Sequence, residues 1–192
     1  FMGTASTMQI MAEALGLMLP GSALMPAMCE DLKDVAVAAG KQAMWLAQHG
    51  MKPHDMVTMK SFENAIMVHA AISGSTNATM HIPAIAHEAG YDLPWWKYFD
   101  EASNEIPLLS HLAPGGPYSV KDLDMAGGMR ALLKELMPKL NGECLTVTGH
   151  TLEENCRTAP KYNDEVIRTL EDPVSKEPGL GVLYGNMETE GS

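Results

Sequence analysis

The chain has 192 residues, 46% of them hydrophobic, and a formal net charge of −11 at pH 7. This length fits one large domain or parts of two. The acidic charge excludes nucleic acid and anionic membrane surfaces as expected partners, because both bind basic surfaces. Pro, Gly and charged residues interrupt every apolar run, so the sequence predicts no membrane-spanning segment.

Three cysteines lie far apart along the chain: Cys29, Cys144 and Cys156. They form no CxxC pair, so the sequence predicts neither a disulfide framework nor a local zinc site. Cysteines without partners are simplest to explain in a reducing compartment, and we therefore expect a cytoplasmic protein.

Residues 1–17 predict a loop that runs directly into a helix, expected over residues 4–17. Gly3 frees the backbone ahead of three residues typical of helix caps, which are Thr4, Ser6 and Thr7. A chain that begins at such a junction, without an initiator Met, is typical of a segment of a longer protein.

Apolar residues at helical spacing predict four further helices, over residues 30–48, 60–73, 78–89 and 120–140. Val35, Ala39 and Leu46 form the apolar stripe of the first of these. His69, on the apolar side of the second, is expected to be a buried structural histidine. Pro83 is expected near the first turn of the third, where proline is tolerated.

Shorter features separate these helices. Residues 20–28 are expected to form a loop and residues 52–55 a turn, and the aromatic run after Pro94 predicts the start of another helix. Gly127-Gly128 is expected to weaken the helix over residues 120–140.

β-rich residues predict short strands at 145–148, 166–170 and 180–184, with a short extended stretch at 106–109. The chain becomes more polar and turn-rich after residue 157. We therefore place a domain boundary near residue 160, which divides the chain into residues 1–160 and 161–192.

The most informative polar segment is GSTN at residues 74–77, between two predicted helices. Backbone N–H groups at a helix N-terminus attract anions, and hydroxyl and amide groups beside them suit a carboxylate or sugar hydroxyls. The same residues are typical of a helix cap, with Ser75, Thr76 or Asn77 in the capping position. Both interpretations remain open at this point.

Other candidate sites are weaker. His81 and His87 are six residues apart, which does not stack them on one helical face, and no HExxH motif occurs. Neither glycine pair fits a nucleotide-binding loop, and Ser22 lacks the GxSxG elbow of a serine hydrolase. Three acidic residues are expected on solvated faces: Glu13, Glu153 and Glu154.

Four blocks of sequence, taken in order and spacing, resemble one family. They contain MGTASTM (2–8) with MAEALG (11–16) and LPGS (19–22), NAIMVH (64–69) with GSTNA (74–78) and IPAIAHEAG (82–90), GECLTVTG (142–149) with TLEEN (151–155), and GLGVLYGN (179–186). Together they resemble the dihydroxy-acid dehydratase and phosphogluconate dehydratase family over nearly the whole chain. MGTASTM looks closest to the sugar-acid (aldonate) branch, xylonate dehydratase included.

The resemblance implies a hydro-lyase that converts a 2,3-dihydroxy carboxylate into a 2-keto-3-deoxy acid. In that family an iron–sulfur cluster, 2Fe–2S in the aldonate branch, assists departure of the 3-hydroxyl, and Mg²⁺ holds the carboxylate and the 2-hydroxyl. A cluster cysteine of the family motif would lie two residues before Phe1, and the other cluster cysteines, magnesium ligands and serine base belong to segments absent here. Cys29, Cys144 and Cys156 match no cluster position, so no metal ligand and no catalytic residue is assigned in this chain.

Two groups of residues carry over from the resemblance. Gly3 and Thr4 would flank the cluster cysteine, and Ser75, Thr76 and Asn77 would face the substrate cleft. The implied fold class is α/β: the helix-rich second half of a three-layer α/β/α domain over residues 1–160, then the first strands of a C-terminal β-barrel domain over residues 161–192.

The predicted function is that of a segment of an iron–sulfur and magnesium dependent aldonate dehydratase. The expected partners are a small-molecule sugar acid and the rest of the same polypeptide, in a homo-oligomer when intact. The isolated chain is expected to hold no cofactor and to be inactive. The alternatives are a dihydroxy-acid dehydratase of branched-chain amino-acid synthesis, a non-catalytic helical interaction module, and a hydrolase that uses Ser22 or Ser75.

Overall fold

The computed structural model describes residues 1–177 and 179–187, and in this part of the chain the regular elements are helices. In chain order they are α1 (Thr4–Ala14), α2 (Asp31–His49), α3 (Pro53–Met56), α4 (Met59–Ile72), α5 (Ala78–Glu88), α6 (Trp95–Glu105), α7 (Val120–Met125), α8 (Gly128–Leu136), a 3₁₀ turn (Met137–Lys139) and α9 (Leu152–Cys156). This confirms the predicted helices within a few residues at each end. The loop at residues 20–28 is also confirmed.

Two local predictions about the helices were wrong, and the expected weak point at Gly127-Gly128 is a complete break. Residues 52–55 are not a simple turn, because the short helix α3 begins at Pro53, a position where a missing N–H costs nothing. Pro83 lies inside α5 rather than near its first turn. The segment 120–140 divides completely between α7 and α8, since Gly127 and Gly128 both have positive φ angles, 128° and 66°.

The predicted strands were wrong as well. In the segment 145–148, Leu145 forms a single bridge and residues 147–148 form a turn, and the Thr146 hydroxyl donates to the carbonyl of His150 at 2.9 Å. In the segments 166–170 and 180–184 the structure has no strand. The β pairing among the described residues consists of single bridges. They join Leu108 to Ser175, Leu112 to Tyr118 and Leu145 to Thr151.

The observed architecture is helix-rich with few β contacts, which is compatible with the α/β class. Residue 178 and residues 188–192, at the end of the predicted second domain, lie outside the described residues. The boundary near residue 160 stays a prediction. Beyond it, Val166 and Ile167 are buried, and the Arg168 N–H donates to the Leu109 carbonyl at 2.9 Å.

The core is organised around α4, which packs against α1 and α6. Phe62 on α4 is fully buried and meets the edges of Tyr91 and Trp95, with ring centroids 5.8 and 5.4 Å apart. Buried apolar surface and edge-to-face aromatic contacts of this kind stabilise the packing of helices. They hold the N-terminal part of α4 in place, and the C-terminal end of the same helix carries the candidate site.

The helix α2 lies apart from this core. None of its residues is buried, although Val35, Ala39 and Leu46 lie at the predicted helical spacing. Gln42 donates its side-chain amide to the Val147 carbonyl at 2.6 Å, and a Cβ added to Gly149 would lie 2.6 Å from the Trp45 ring. These contacts hold α2 at one edge, while Val37 and Met44 are more than half exposed.

Within residues 1–177 and 179–187, no helix is both long and apolar enough to cross a membrane.

Candidate functional site

Two segments that are far apart in sequence meet at the candidate site: the first turn of α1 and the loop between α4 and α5. The α4 helix ends where Ser73 adopts a left-handed conformation with φ of 49°, unusual for a residue other than glycine. This turn brings residues 75–77 against the N-terminal end of α1.

Three polar side chains form the centre of the site, which we call the Thr4–Ser75–Asn77 cluster. Asn77 donates its side-chain amide to Thr4 Oγ1 at 2.6 Å. Thr4 Oγ1 also lies 3.3 Å from Ser75 Oγ. Thr4 and Ser75 are partly exposed and Asn77 is exposed, so a small molecule can reach the hydroxyl and amide groups.

The backbone of Ser75 is held from two sides. Its N–H donates to Oγ1 of Thr7, on α1, at 3.0 Å. Its carbonyl accepts a hydrogen bond from Nε2 of His69, on α4, also at 3.0 Å. Thr7 and His69 are both buried, so these bonds are shielded from competition with water.

Gly74 permits this close approach. A Cβ at position 74 would lie only 2.5 Å from His69 Cδ2 and 3.0 Å from the Thr7 methyl group. No larger residue fits without displacing the histidine ring or the loop. The glycine of GSTN therefore has a packing reason that is independent of turn geometry.

Of the predicted site residues, the structure brings together Thr4, Ser75 and Asn77. Gly3 lies beside them as the N-cap of α1, where it provides no side-chain cap. Thr76 is exposed, and its carbonyl accepts a hydrogen bond from the Thr79 hydroxyl at 2.7 Å. No described hydrogen bond joins the side chain of Thr76 to the cluster.

The α5 N-terminus is less open to anions than its sequence suggested. Ser75 Oγ accepts the N–H of Asn77 at 3.3 Å, and the N–H groups of Ala78 and Thr79 donate to carbonyls within the loop at 3.0 Å. The Ser75 side chain therefore partly caps α5. Asn77 is the N-cap residue, but its side chain donates a hydrogen bond to Thr4 and makes none to its own helix. The available donors are side chains and the first turn of α1.

Residues 1–155 match a family model described as the N-terminal region of dihydroxy-acid/6-phosphogluconate dehydratases. The chain belongs to this family.

Similar curated proteins include three named dihydroxy-acid dehydratase. One from Methanosarcina barkeri is 46% identical over 100% of this chain and 35% of its own length. One from Caldanaerobacter subterraneus subsp. tengcongensis is 43% identical over 100% of this chain and 34% of its own length. "Dihydroxy-acid dehydratase 1" of Methanosarcina acetivorans is 47% identical, over 100% of this chain and 35% of its own length. The chain thus spans about a third of the length of the curated relatives it matches.

Sequence reasoning missed how Thr7 and Glu13 are used in this dehydratase family member. Thr7, expected as a capping residue, is fully buried and accepts the Ser75 N–H. Glu13, expected on a solvated face, is only 3% exposed and accepts the N–H groups of Gly21 and Ala23 at 2.7 and 3.0 Å. The one signal in the sequence was helical spacing, which places Thr7 and Glu13 on the same buried face of α1 as Ile10 and Met11.

Burial shifts the pKa values of two groups near these elements. It lowers the pKa of His69, against the opposing effect of hydrogen bonds to the backbone of Ser75 and Gly74. It raises the pKa of Glu13 to about 7, against the opposing effect of the bonds from Gly21 and Ala23. His69 is therefore neutral at neutral pH, and its single ring proton lies on Nε2, because the Ser75 carbonyl can only accept.

The described part of the chain does not fit a cluster or metal. It contains no group of three or more His, Cys, Asp or Glu side chains that could hold an ion. Cys144 and Cys156 are buried and Cys29 is partly exposed. Thiols in apolar surroundings resist becoming the thiolate that metals require, and burial raises the pKa of Cys156 to about 12.

Proposed function

We propose that this chain is part of a dihydroxy-acid dehydratase, a hydro-lyase that removes water from a 2,3-dihydroxy carboxylate to give a 2-keto-3-deoxy acid. The observation that carries the proposal is the similarity to proteins of that name, 43–47% identical over the whole chain for the three relatives above. Those names favour a dihydroxy acid as substrate over the sugar acid suggested by MGTASTM.

The Thr4–Ser75–Asn77 cluster would bind the substrate in this proposal. Its two hydroxyls and one amide provide the short, directional donors and acceptors that a polyhydroxylated acid requires. The N–H groups at the first turn of α1 have no acceptor within the helix, and that turn contains no acidic residue to repel a carboxylate. The chain's own contribution is thus to bind and orient the substrate.

The iron–sulfur cluster and Mg²⁺ implied by the resemblance remain part of the proposal for the intact protein. When bound, they would supply Lewis acidity toward the departing hydroxyl and the carboxylate. Because the described residues lack a suitable ligand set, both groups would take their ligands from other parts of the longer polypeptide. The intact protein would be a cytoplasmic homo-oligomer.

A hydrolase that uses Ser22 or Ser75 is the weaker alternative. The Ser22 hydroxyl donates to the Leu19 carbonyl at 2.6 Å. His69 bonds to the carbonyl of Ser75 rather than to its hydroxyl, so it cannot take the hydroxyl proton in this arrangement. A helical interaction module would keep the fold but have no use for the polar cluster.

The decisive experiment assays the intact protein that contains this segment, loaded with iron, sulfide and Mg²⁺. A branched 2,3-dihydroxy acid and an aldonate are offered separately, and the 2-keto acid is trapped as its hydrazone. We expect turnover of the dihydroxy acid, an increase in its KM in Asn77→Ala, and little change in the exposed control Asn104→Ala. The 192-residue chain alone should be inactive. Turnover by that chain, or absence of turnover by the loaded intact protein with both acids, would overturn the proposal.

A further inference from the structure

We infer that His69 is a positioning residue of the dehydratase site, which fixes the Ser75–Asn77 loop through its Nε2–H bond to the Ser75 carbonyl. The inference rests on the proposed function for its catalytic consequence. It adds a residue that lies outside the polar cluster and that the sequence predicted to be only structural.

The surroundings of His69 fix the orientation of its ring. His69 lies one turn from the end of α4, is 1% exposed, and meets the edge of Phe99 with ring centroids 5.5 Å apart and planes at 87°. The ring therefore has a fixed orientation, and Nε2 is aimed at the loop. A purely apolar residue would fill the same space, so the specific use of an imidazole here is the 3.0 Å bond to Ser75.

The backbone of Ser75 is also held from the opposite side, by Thr7. The Ser75 N–H donates to Thr7 Oγ1 at 3.0 Å, so α1 and α4 each provide one bond to the backbone of Ser75. Ser75 Oγ in turn accepts the N–H of Asn77 at 3.3 Å. A displacement of the Ser75 backbone would therefore also displace Asn77 and disturb the hydrogen bond between Asn77 and Thr4.

Gly74 lies in close contact with the His69 ring. A side chain there would displace the His69 ring, since its Cβ would lie 2.5 Å from Cδ2 and 2.9 Å from Nε2. The glycine thus permits the histidine to reach the carbonyl beyond it. One set of contacts therefore positions Asn77 relative to α1. It involves Thr7, His69, Gly74 and Ser75.

The test compares two substitutions of His69 in the intact protein. His69→Phe keeps the ring and the contact with Phe99 but removes the donor, whereas His69→Gln places an amide N–H near the position of Nε2. We expect His69→Phe to lose about tenfold in kcat/KM, the equivalent of one hydrogen bond, and His69→Gln to recover most of it. The loss should appear mainly in KM, because a displaced loop weakens substrate binding. His54→Phe and His54→Gln, at an exposed histidine of α3, are the matched controls.

Amide hydrogen exchange in the 192-residue chain gives a second readout that needs no activity. In His69→Phe the N–H of Ser75 should exchange about tenfold faster than in the unaltered chain, and in His69→Gln at nearly the original rate. If His69→Phe does not fold, Thr7→Val and Thr7→Ser test the other backbone bond of Ser75, which its N–H donates to Thr7 Oγ1 on α1, with faster exchange expected only in Thr7→Val.

The outcomes separate the two proposals. If the unaltered intact protein shows no turnover, the proposed function fails, and exchange alone decides whether His69 positions the loop. If the unaltered protein is active and His69→Phe equals His69→Gln in KM and in exchange, the positioning role is overturned and the proposed function stands. This includes the case in which both variants have the same increase in KM, because packing of the His69 side chain alone would then explain the loss.

Discussion

Asn77 donates its side-chain amide to Thr4 Oγ1 across 73 positions of sequence, at 2.6 Å. This bond joins the two segments from which the candidate site is built. We expect Thr4→Val, which keeps the shape but removes the acceptor, to lower the free energy of unfolding by about 1 kcal/mol. Thr4→Ser keeps the hydroxyl and should lose little. Urea unfolding of the chain measures both, and equal midpoints for the two variants would contradict the role of this bond.

Gly74 provides the sharper steric prediction. Gly74→Ala places a Cβ 2.5 Å from His69 Cδ2, and overpacking of this kind costs about 1–3 kcal/mol. Gly40→Ala is the matched control, because Gly40 lies inside α2 and an added Cβ would have no heavy atom within 4 Å apart from its chain neighbours and the backbone of its own helix. That change should stabilise the chain by about 1 kcal/mol through helix propensity. The midpoint of thermal unfolding should therefore fall in Gly74→Ala and rise in Gly40→Ala. A shift of both midpoints in the same direction would refute the steric explanation.

The helices of this chain were predictable because their signals are local. Apolar spacing and glycine or proline breaks located α1, α2 and α4 within a few residues. The loop at residues 74–77 was also predictable as polar and lying between helices. These features depend only on neighbouring residues.

The arrangement of the site was not predictable from periodicity, because it depends on contacts between distant residues. Nothing near Thr7 indicates that it accepts the N–H of Ser75, 68 positions away. The burial of Glu13 depends on a loop that folds back over α1. The strands failed for a related reason, since β-rich residues such as Val166 and Ile167 are buried in the core without a ladder.

Glu13 should make stability depend on pH. Burial, with a smaller contribution from Asp124, raises its pKa from 4.5 to about 7, against bonds from Gly21 and Ala23 and the charge of Arg130. As pH rises from about 4.5 to about 7, the unfolded chain releases this proton while the folded chain keeps it. The folded state therefore loses about 3 kcal/mol over that range, from the pKa difference and linkage.

Glu13→Gln isolates this effect. Urea unfolding at pH 5 and pH 8 should show that the variant lacks the loss of stability seen in the unaltered chain between these values. His69 has the opposite effect, because its lowered pKa costs stability as pH falls below 6.5, but it is common to both proteins and cancels in the comparison. Glu30→Gln, at an exposed position, should leave the pH dependence unchanged. If Glu13→Gln does so too, the buried carboxyl does not titrate as described.

The three thiols should differ in reactivity. Cys29 is partly exposed, whereas Cys144 and Cys156 are buried, and burial raises the pKa of both. Because the thiolate is the reactive form, we expect iodoacetamide at pH 8 to modify Cys29 first. Cys144 and Cys156 should react only when urea unfolds the chain. Peptide mass spectrometry measures each site, and early modification of Cys156 in the folded chain would contradict its burial against α8.

Ser110 provides a test of buried polarity. Its side chain is fully buried, and its hydroxyl has no hydrogen-bond partner among the described residues. Because an unsatisfied buried hydroxyl is unfavourable, Ser110→Ala should stabilise the chain by about 1 kcal/mol.

The matched control for Ser110→Ala is Ser61→Ala. Ser61 is equally buried, but its hydroxyl donates to the Thr58 carbonyl and accepts the Thr58 N–H, both at 2.8 Å, at the N-terminus of α4. The same atom is removed in both variants, so the opposite signs must come from hydrogen bonding alone. Ser61→Ala should cost about 1 kcal/mol because it leaves the Thr58 N–H without its acceptor. A loss of stability in Ser110→Ala as large as that in Ser61→Ala would mean that the Ser110 hydroxyl has a partner in solution, such as a bound water.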